Sequence, residues 1–124
     1  MGPKVWLGGL LFVVVLASGY VLAHGGKPYG TGWFTVHKLV ALAAFALVAV
    51  AAVQALRAGS GSPGLLAAFI AACALFAGSV ATGGLVSALA RVPQPLALAH
   101  HILPWLTMAA LAAVFWLLGV RRSG

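Results

Sequence analysis

Histidine is the one side chain in this sequence that both titrates near neutrality and binds metals well as a neutral imidazole. There are four: His24, His37, His100 and His101, in a chain with no Asp and no Glu. Without carboxylates there is no carboxylate acid–base pair and no metal-plus-carboxylate site, so a stand-alone hydrolase or transferase is not expected. The single cysteine, Cys73, falls inside an apolar run. It forms no internal disulfide and is expected to act as a small hydrophobe; paired-thiol chemistry of the quinone-reductase type is excluded. Whatever chemistry the protein performs is expected to pass through the histidines.

The elements that position them are apolar. Of 124 residues, 64% are hydrophobic and only 6% charged, against about 25% charged in an average soluble protein, and the mean hydropathy is +1.15. About 20 apolar residues cross a bilayer, and four such spans are expected here, at 5–23, 33–56, 63–89 and 96–120. The fold class that follows is an all-α membrane protein, a single up-down-up-down bundle of four transmembrane helices filling residues 1–124. Ser62-Pro63 reads as an N-cap followed by proline at the first helical position. The connections are Gly25–Gly30, Ala58–Ser62 and Arg91–Pro95. No sequence repeat is evident. Residues 1–23 also carry signal-peptide features, a basic residue, an apolar run and Val21-Leu22-Ala23; the run is long enough to span and is read as a span.

The net charge of +7 does not point to nucleic acid, because the basic residues scatter to span ends with no stripe or recognition module. Lys4, Arg57, Arg121 and Arg122 fall on one side, Lys27, Lys38 and Arg91 on the other. The positive-inside rule then places both termini in the cytoplasm and the histidines on the outer side, as in a bacterial inner membrane. Trp6, Trp33, Trp105 and Trp116 lie near span ends, as interfacial rings do.

In this topology His24 ends span one on the outside, His37 lies about one turn into span two, and His100 and His101 about one turn into span four. Spans two and four are parallel diagonals, their axes roughly 13 Å apart if neighbouring axes are ~8–10 Å apart. Two imidazoles reaching inward across that distance leave room for one flat metal macrocycle, and bis-histidine haem is a common occupant of bundle cores. Small residues are expected where its ring passes: Ala41 and Ala44 on span two, and Gly78, Ser79, Thr82, Gly83 and Gly84 on span three. Lys27, Lys38 and Arg91 on the same side suit anionic propionates.

His100 and His101 point ~100° apart on a helix, so only one faces the core. His100, which shares a face with Pro104 and Thr107, is favoured, with His101 as the alternative. His24 is expected to be solvated, with a loop ligand or a hydrogen-bond donor to a ligating group as the alternatives. Pro104 has no N–H to give the His100 carbonyl and is expected to kink the span and re-aim the histidine, or to be simply tolerated. Ala74-Gly78-Thr82 and Ala67-Ala71 mark a small-residue face on span three, for internal packing or a homo-oligomer seam.

The residues Val36-His37-Lys38-Leu39 and His100-His101, each at the head of a span, resemble the axial positions of small four-helix membrane b-type cytochromes, including the bacterial relatives of cytochrome b561. The resemblance implies non-covalent haem b and single-electron transfer with a quinol pool or a partner subunit. The chain departs from many such proteins in having no inner-side histidine. Two other readings stay open: a His-rich copper or zinc site built from His24, His37, His100 and His101, and a non-catalytic membrane subunit or assembly factor.

Overall fold

The computed structural model describes residues 3–26, 28 and 30–120, with side chains from residue 6 onward. Lys27, Arg121 and Arg122 lie outside the described residues, as does the side chain of Lys4. The chain forms four helices, α1 Pro3–Gly25, α2 Thr31–Arg57, α3 Pro63–Ala88 and α4 Gln94–Val120, and no strand among the described residues. At 1.5 Å per residue the 27 residues of α2 extend about 40 Å, more than the ~30 Å of a hydrocarbon core.

Helix is the only open structure that satisfies every backbone group within one apolar segment, and the ends are set by specific residues. Gly26 takes a left-handed φ of 68° directly after α1, and Gly59 one of 69° just beyond α2, conformations that favour glycine. The Ser62 side chain accepts from Leu65 N at 3.0 Å, with Pro63 opening α3, as expected from the Ser-Pro pair. The Pro93 carbonyl accepts from Leu96 N and Ala97 N, both at 3.1 Å, at the start of α4. Helix α4 continues through Pro104.

The chain divides into two compact units, Met1–Ala55 and Leu56–Gly124. In the first, α1 and α2 form an antiparallel hairpin. Gly8, near the start of α1, lies against the far part of α2: a Cβ there would stand 3.1 Å from Val48 Cγ2 and 3.7 Å from the Ala44 carbonyl oxygen. Its core is Phe12 and Ser18 of α1 with Ala44, Val48 and Ala52 of α2. Ala44, expected to make room for a macrocycle, is fully buried in this close approach of α1 to α2.

In the second unit α3 and α4 form an antiparallel hairpin around Leu65, Ala72, Thr107, Leu111 and Val114. Gly78 admits Leu103, whose Cδ1 would be 3.4 Å from an added Cβ. Ser79 Oγ lies 3.3 Å from Thr107 Oγ1; each hydroxyl donates to its own helix, to Leu75 O at 2.9 Å and to Leu103 O at 2.8 Å. Gly78 therefore packs within the unit, whereas Ala67, Ala71 and Ala74 are exposed.

Each helix has a window of the length and hydropathy of a membrane span, and only 11% (α3) to 22% (α1) of each window is buried within the molecule. Trp6, Trp33, Trp105 and Trp116 are all exposed, as are Leu10, Leu39, Ile70 and Leu98. Apolar surface of this extent is unfavourable in water and favourable in lipid, which supports an integral membrane protein.

Leu111 is 1% exposed and Leu106 47%. Leu111→Ala should therefore lower the unfolding free energy in mixed micelles by about 2–4 kcal/mol, and Leu106→Ala by no more than about 0.5 kcal/mol. Equal losses would mean that the interior of this hairpin has been misassigned.

Candidate functional site

Two of the four histidines are held between helices, and the two holding arrangements match. His37 is the seventh residue of α2 and His100 the seventh of α4. Both are half-buried.

In the first unit His37 Nδ1 lies 2.9 Å from Ser18 Oγ and 3.1 Å from the Val15 carbonyl oxygen of α1. Ser18 Oγ itself donates to that carbonyl at 3.0 Å. A carbonyl only accepts, so the ring proton sits on Nδ1 and is donated to these two oxygens. The lone pair of the neutral imidazole is then on Nε2. Ser18 is 2% exposed, and its position under the ring leaves it fully hydrogen-bonded.

In the second unit His100 Nδ1 lies 3.1 Å from Thr82 Oγ1 of α3. Thr82 Oγ1 donates to Gly78 O at 2.8 Å and to Ser79 O at 3.2 Å. The hydroxyl has one proton for these two carbonyls, and a His100 ring protonated at Nδ1 donates to its oxygen.

Each ring rests on a glycine next to the hydroxyl residue. A Cβ on Gly19 would stand 3.0 Å from His37 Cε1, and one on Gly83 only 2.8 Å from His100 Cε1. The space expected beside Gly83 for a macrocycle is thus taken by the His100 imidazole. Gly84 has nothing within 4 Å of an added Cβ.

The correspondence extends along both hairpins. Ala17-Ser18-Gly19 answers Ala81-Thr82-Gly83. Gly8 and Ala72, each eleven residues before its ring-bearing glycine, are both buried. Ala44 and Thr107, seven residues after His37 and His100, are both buried, as are Val48 and Leu111, eleven residues after them. The two hairpins therefore match at these contact positions. The match is confined to the faces where helices touch, and the exposed positions do not follow it. Ser18 and Gly19 had drawn no attention in the sequence; their signal was the Ala-Ser/Thr-Gly triplet at near-equal spacing before a histidine.

The other two histidines are exposed. His24 stacks on Tyr20 with ring centroids 3.9 Å apart, and its Nδ1 donates to the Tyr20 carbonyl at 3.0 Å, one turn back on the same helix. His101 lies beside His100 but on the exposed side of α4. Lys38 places Nζ 4.0 Å over the Phe34 ring, and Arg91 is exposed just before α4. Among the described residues no three His, Cys, Asp or Glu side chains lie together as a metal-binding group, and every fully buried side-chain nitrogen or oxygen has a hydrogen-bond partner.

The contact between Gly83 and His100 predicts a change of sign. Alanine in place of helical glycine is worth roughly 0.5–1 kcal/mol of stability when space allows. Gly83→Ala should instead destabilise the wild type by about 1–3 kcal/mol, because the ring is forced off its site, and should stabilise the His100→Ala background. Gly19→Ala should behave likewise against His37→Ala. A double-mutant cycle in unfolding free energy measures the coupling; additive effects would mean that ring and glycine do not touch.

Comparison with protein-family models, with curated proteins and with solved structures found no match to this chain.

Proposed function

We propose that this chain is a membrane b-type cytochrome that carries one haem between His37 and His100 and transfers single electrons. Each hairpin would contribute one ligating histidine. The observation that carries the reading is the matched pair of rings. Each has Nδ1 within hydrogen-bond distance of an oxygen on the neighbouring helix, 2.9 and 3.1 Å for His37 and 3.1 Å for His100. Metal-ligating histidines are characteristically held this way, the second ring nitrogen donating to a carbonyl or another fixed acceptor.

The donor set fits haem better than a compact metal site. Two neutral imidazoles without carboxylate or thiolate partners suffice for an iron whose other four ligands come from a macrocycle. A copper or zinc ion ordinarily draws three or four ligands from the protein. Held by His37 and His100, a haem would supply one-electron redox chemistry.

The chain's own residues would position the group. His37 and His100 would ligate it, Ser18, Val15 and Thr82 would orient their rings, and Gly19 and Gly83 would let those rings lie close to α1 and α3. Lys38 and Arg91, with Lys27, supply the positive charge for propionates. A quinol pool or a partner subunit would deliver electrons to an extracytoplasmic acceptor. With no histidine elsewhere in the sequence, the chain alone would not form a two-haem path across the membrane.

Haem occupancy and spin state of three variants test this. His37→Ala should abolish low-spin haem, since α2 has no other histidine. His100→Ala should do the same or leave a weak high-spin fraction held by His101. His24→Ala should retain the haem. Loss of haem in His24→Ala with retention in His37→Ala would overturn the assignment and move the site to the loop.

Topology gives an independent check. Tags at Met1 and Gly124 should both report the cytoplasm, and a tag at Lys27 the outside; termini on opposite sides would contradict the four-span topology.

A further inference from the structure

We infer that the first two turns of α2 form a docking surface for an anionic phospholipid, whose phosphate is held by Lys38 together with the hydroxyls of Thr31 and Thr35. The inference does not rest on the haem.

Lys38 is the eighth residue of α2, about 10 Å along the helix from its start at 1.5 Å per residue. Thr31, Thr35 and Lys38 follow the i, i+4, i+7 spacing of one helical stripe, and all three are exposed. Lys38 lies about 100° round the helix from His37, which with Ala44 and Val48 marks the side of α2 that meets α1. Val36, Leu39 and Leu42 flank the stripe and are exposed as well. The lysine therefore stands on an apolar face of a span, away from the partner helix of its hairpin.

A charge in that place is costly, and the side chain is disposed to reduce the cost. Its Nζ lies 4.0 Å over the Phe34 ring, one turn nearer the start of α2. The stem covers apolar surface while the charge returns toward the interface, as long cations near span ends do. Trp33, beside Phe34, is 55% exposed, and such rings favour the headgroup layer.

The Phe34 ring attracts the cation through its quadrupole but brings no net charge. No acidic side chain brings one either, since the chain has no Asp and no Glu. At the level of Trp33 the abundant anion is lipid phosphate. The net charge of +7 selects further. A zwitterionic headgroup carries an ammonium that this chain repels, and an anionic headgroup carries none. Thr31 and Thr35 lie on the interface side of Lys38, where their hydroxyls can donate to phosphate oxygens. Leu42, one turn deeper, falls beside the acyl chains. An ammonium has three N–H donors, so a lipid phosphate and a propionate can share Lys38.

The test uses the full chain in detergent micelles, titrated with phosphatidylglycerol, phosphatidylcholine or inorganic phosphate, with bound molecules counted by native mass spectrometry. The wild type should retain phosphatidylglycerol in preference to phosphatidylcholine and should not retain inorganic phosphate. Lys38→Gln should weaken the first phosphatidylglycerol about fivefold. Lys38→Arg should keep the wild-type preference, and Thr35→Val should weaken it by less than Lys38→Gln does. Solid-state NMR fixes the place. With 15N-lysine in bilayers containing phosphatidylglycerol, the wild type should show a lysine ammonium coupled to phosphorus, and Lys38→Gln should lose that signal.

Equal retention of the two lipids by the wild type overturns the inference, as does an affinity or a nitrogen–phosphorus coupling unchanged in Lys38→Gln. Inorganic phosphate bound as tightly as the lipid overturns the choice of occupant, and wild-type behaviour of Thr35→Val overturns the role of that hydroxyl. Haem lost from Lys38→Gln with the lipid preference intact gives Lys38 to a propionate and overturns the inference. A chain that binds no haem but keeps the preference overturns the cytochrome reading and leaves the lipid site in place.

Discussion

An imidazole N–H carried between two apolar helices must find an acceptor, because an unmatched polar group there costs several kcal/mol. A chain without Asp or Glu has hydroxyls, backbone carbonyls and two glutamine amides, Gln54 and Gln94, to offer. Both inter-helix histidines are satisfied in that way, by Ser18 and the Val15 carbonyl in one hairpin and by Thr82 in the other. The need for an acceptor accounts for much of the local sequence. The hydroxyl must be close enough to accept, so the helices must approach closely, and the residue beside each hydroxyl is a glycine whose missing Cβ the ring occupies. A hydroxyl that accepts from the ring has a carbonyl of the turn behind it within reach for its own proton.

The same constraint limits where exposed residues matter. Outside the contact faces the helices present tryptophan, leucine and isoleucine, and any apolar residue serves in lipid. The two hairpins match only where one helix touches another. Alanine, serine or threonine, and glycine recur at the ring; buried small or branched residues recur two and three turns further along α2 and α4. Lys38, two turns into α2, and Arg91, between α3 and α4, are exposed, and no acid is present to neutralise them.

Much of this was legible in the sequence, for physical reasons that differ from element to element. Spans are legible because hydropathy over some 20 residues is a strong signal, and Ser62-Pro63 because an N-cap followed by proline has one common meaning. That His100 and His101 cannot share a face follows from the ~100° between adjacent helical residues; the structure turns His100 toward α3 and leaves His101 exposed. The acceptors were harder to read. A lone Ser18 in an apolar run does not announce which of its neighbours it serves, and its partner lies on the next helix. Gly83 and Ala44 were recognised as places where space was needed, but not for what: Gly83 admits the histidine of its own hairpin, and Ala44 lets α1 approach α2. Hydropathy identifies helices without showing which residues of one meet which of the next.

The most direct measurement of the central claim is the optical and EPR spectrum of the wild-type protein purified from haem-replete cells, with haem and metal content determined per chain. Two neutral histidines on one iron predict a coloured protein with one haem per chain, reduced absorption bands of the b type, and a low-spin ferric signal without a substantial high-spin component. A colourless protein from the same cells, above all one containing stoichiometric copper or zinc, would contradict it.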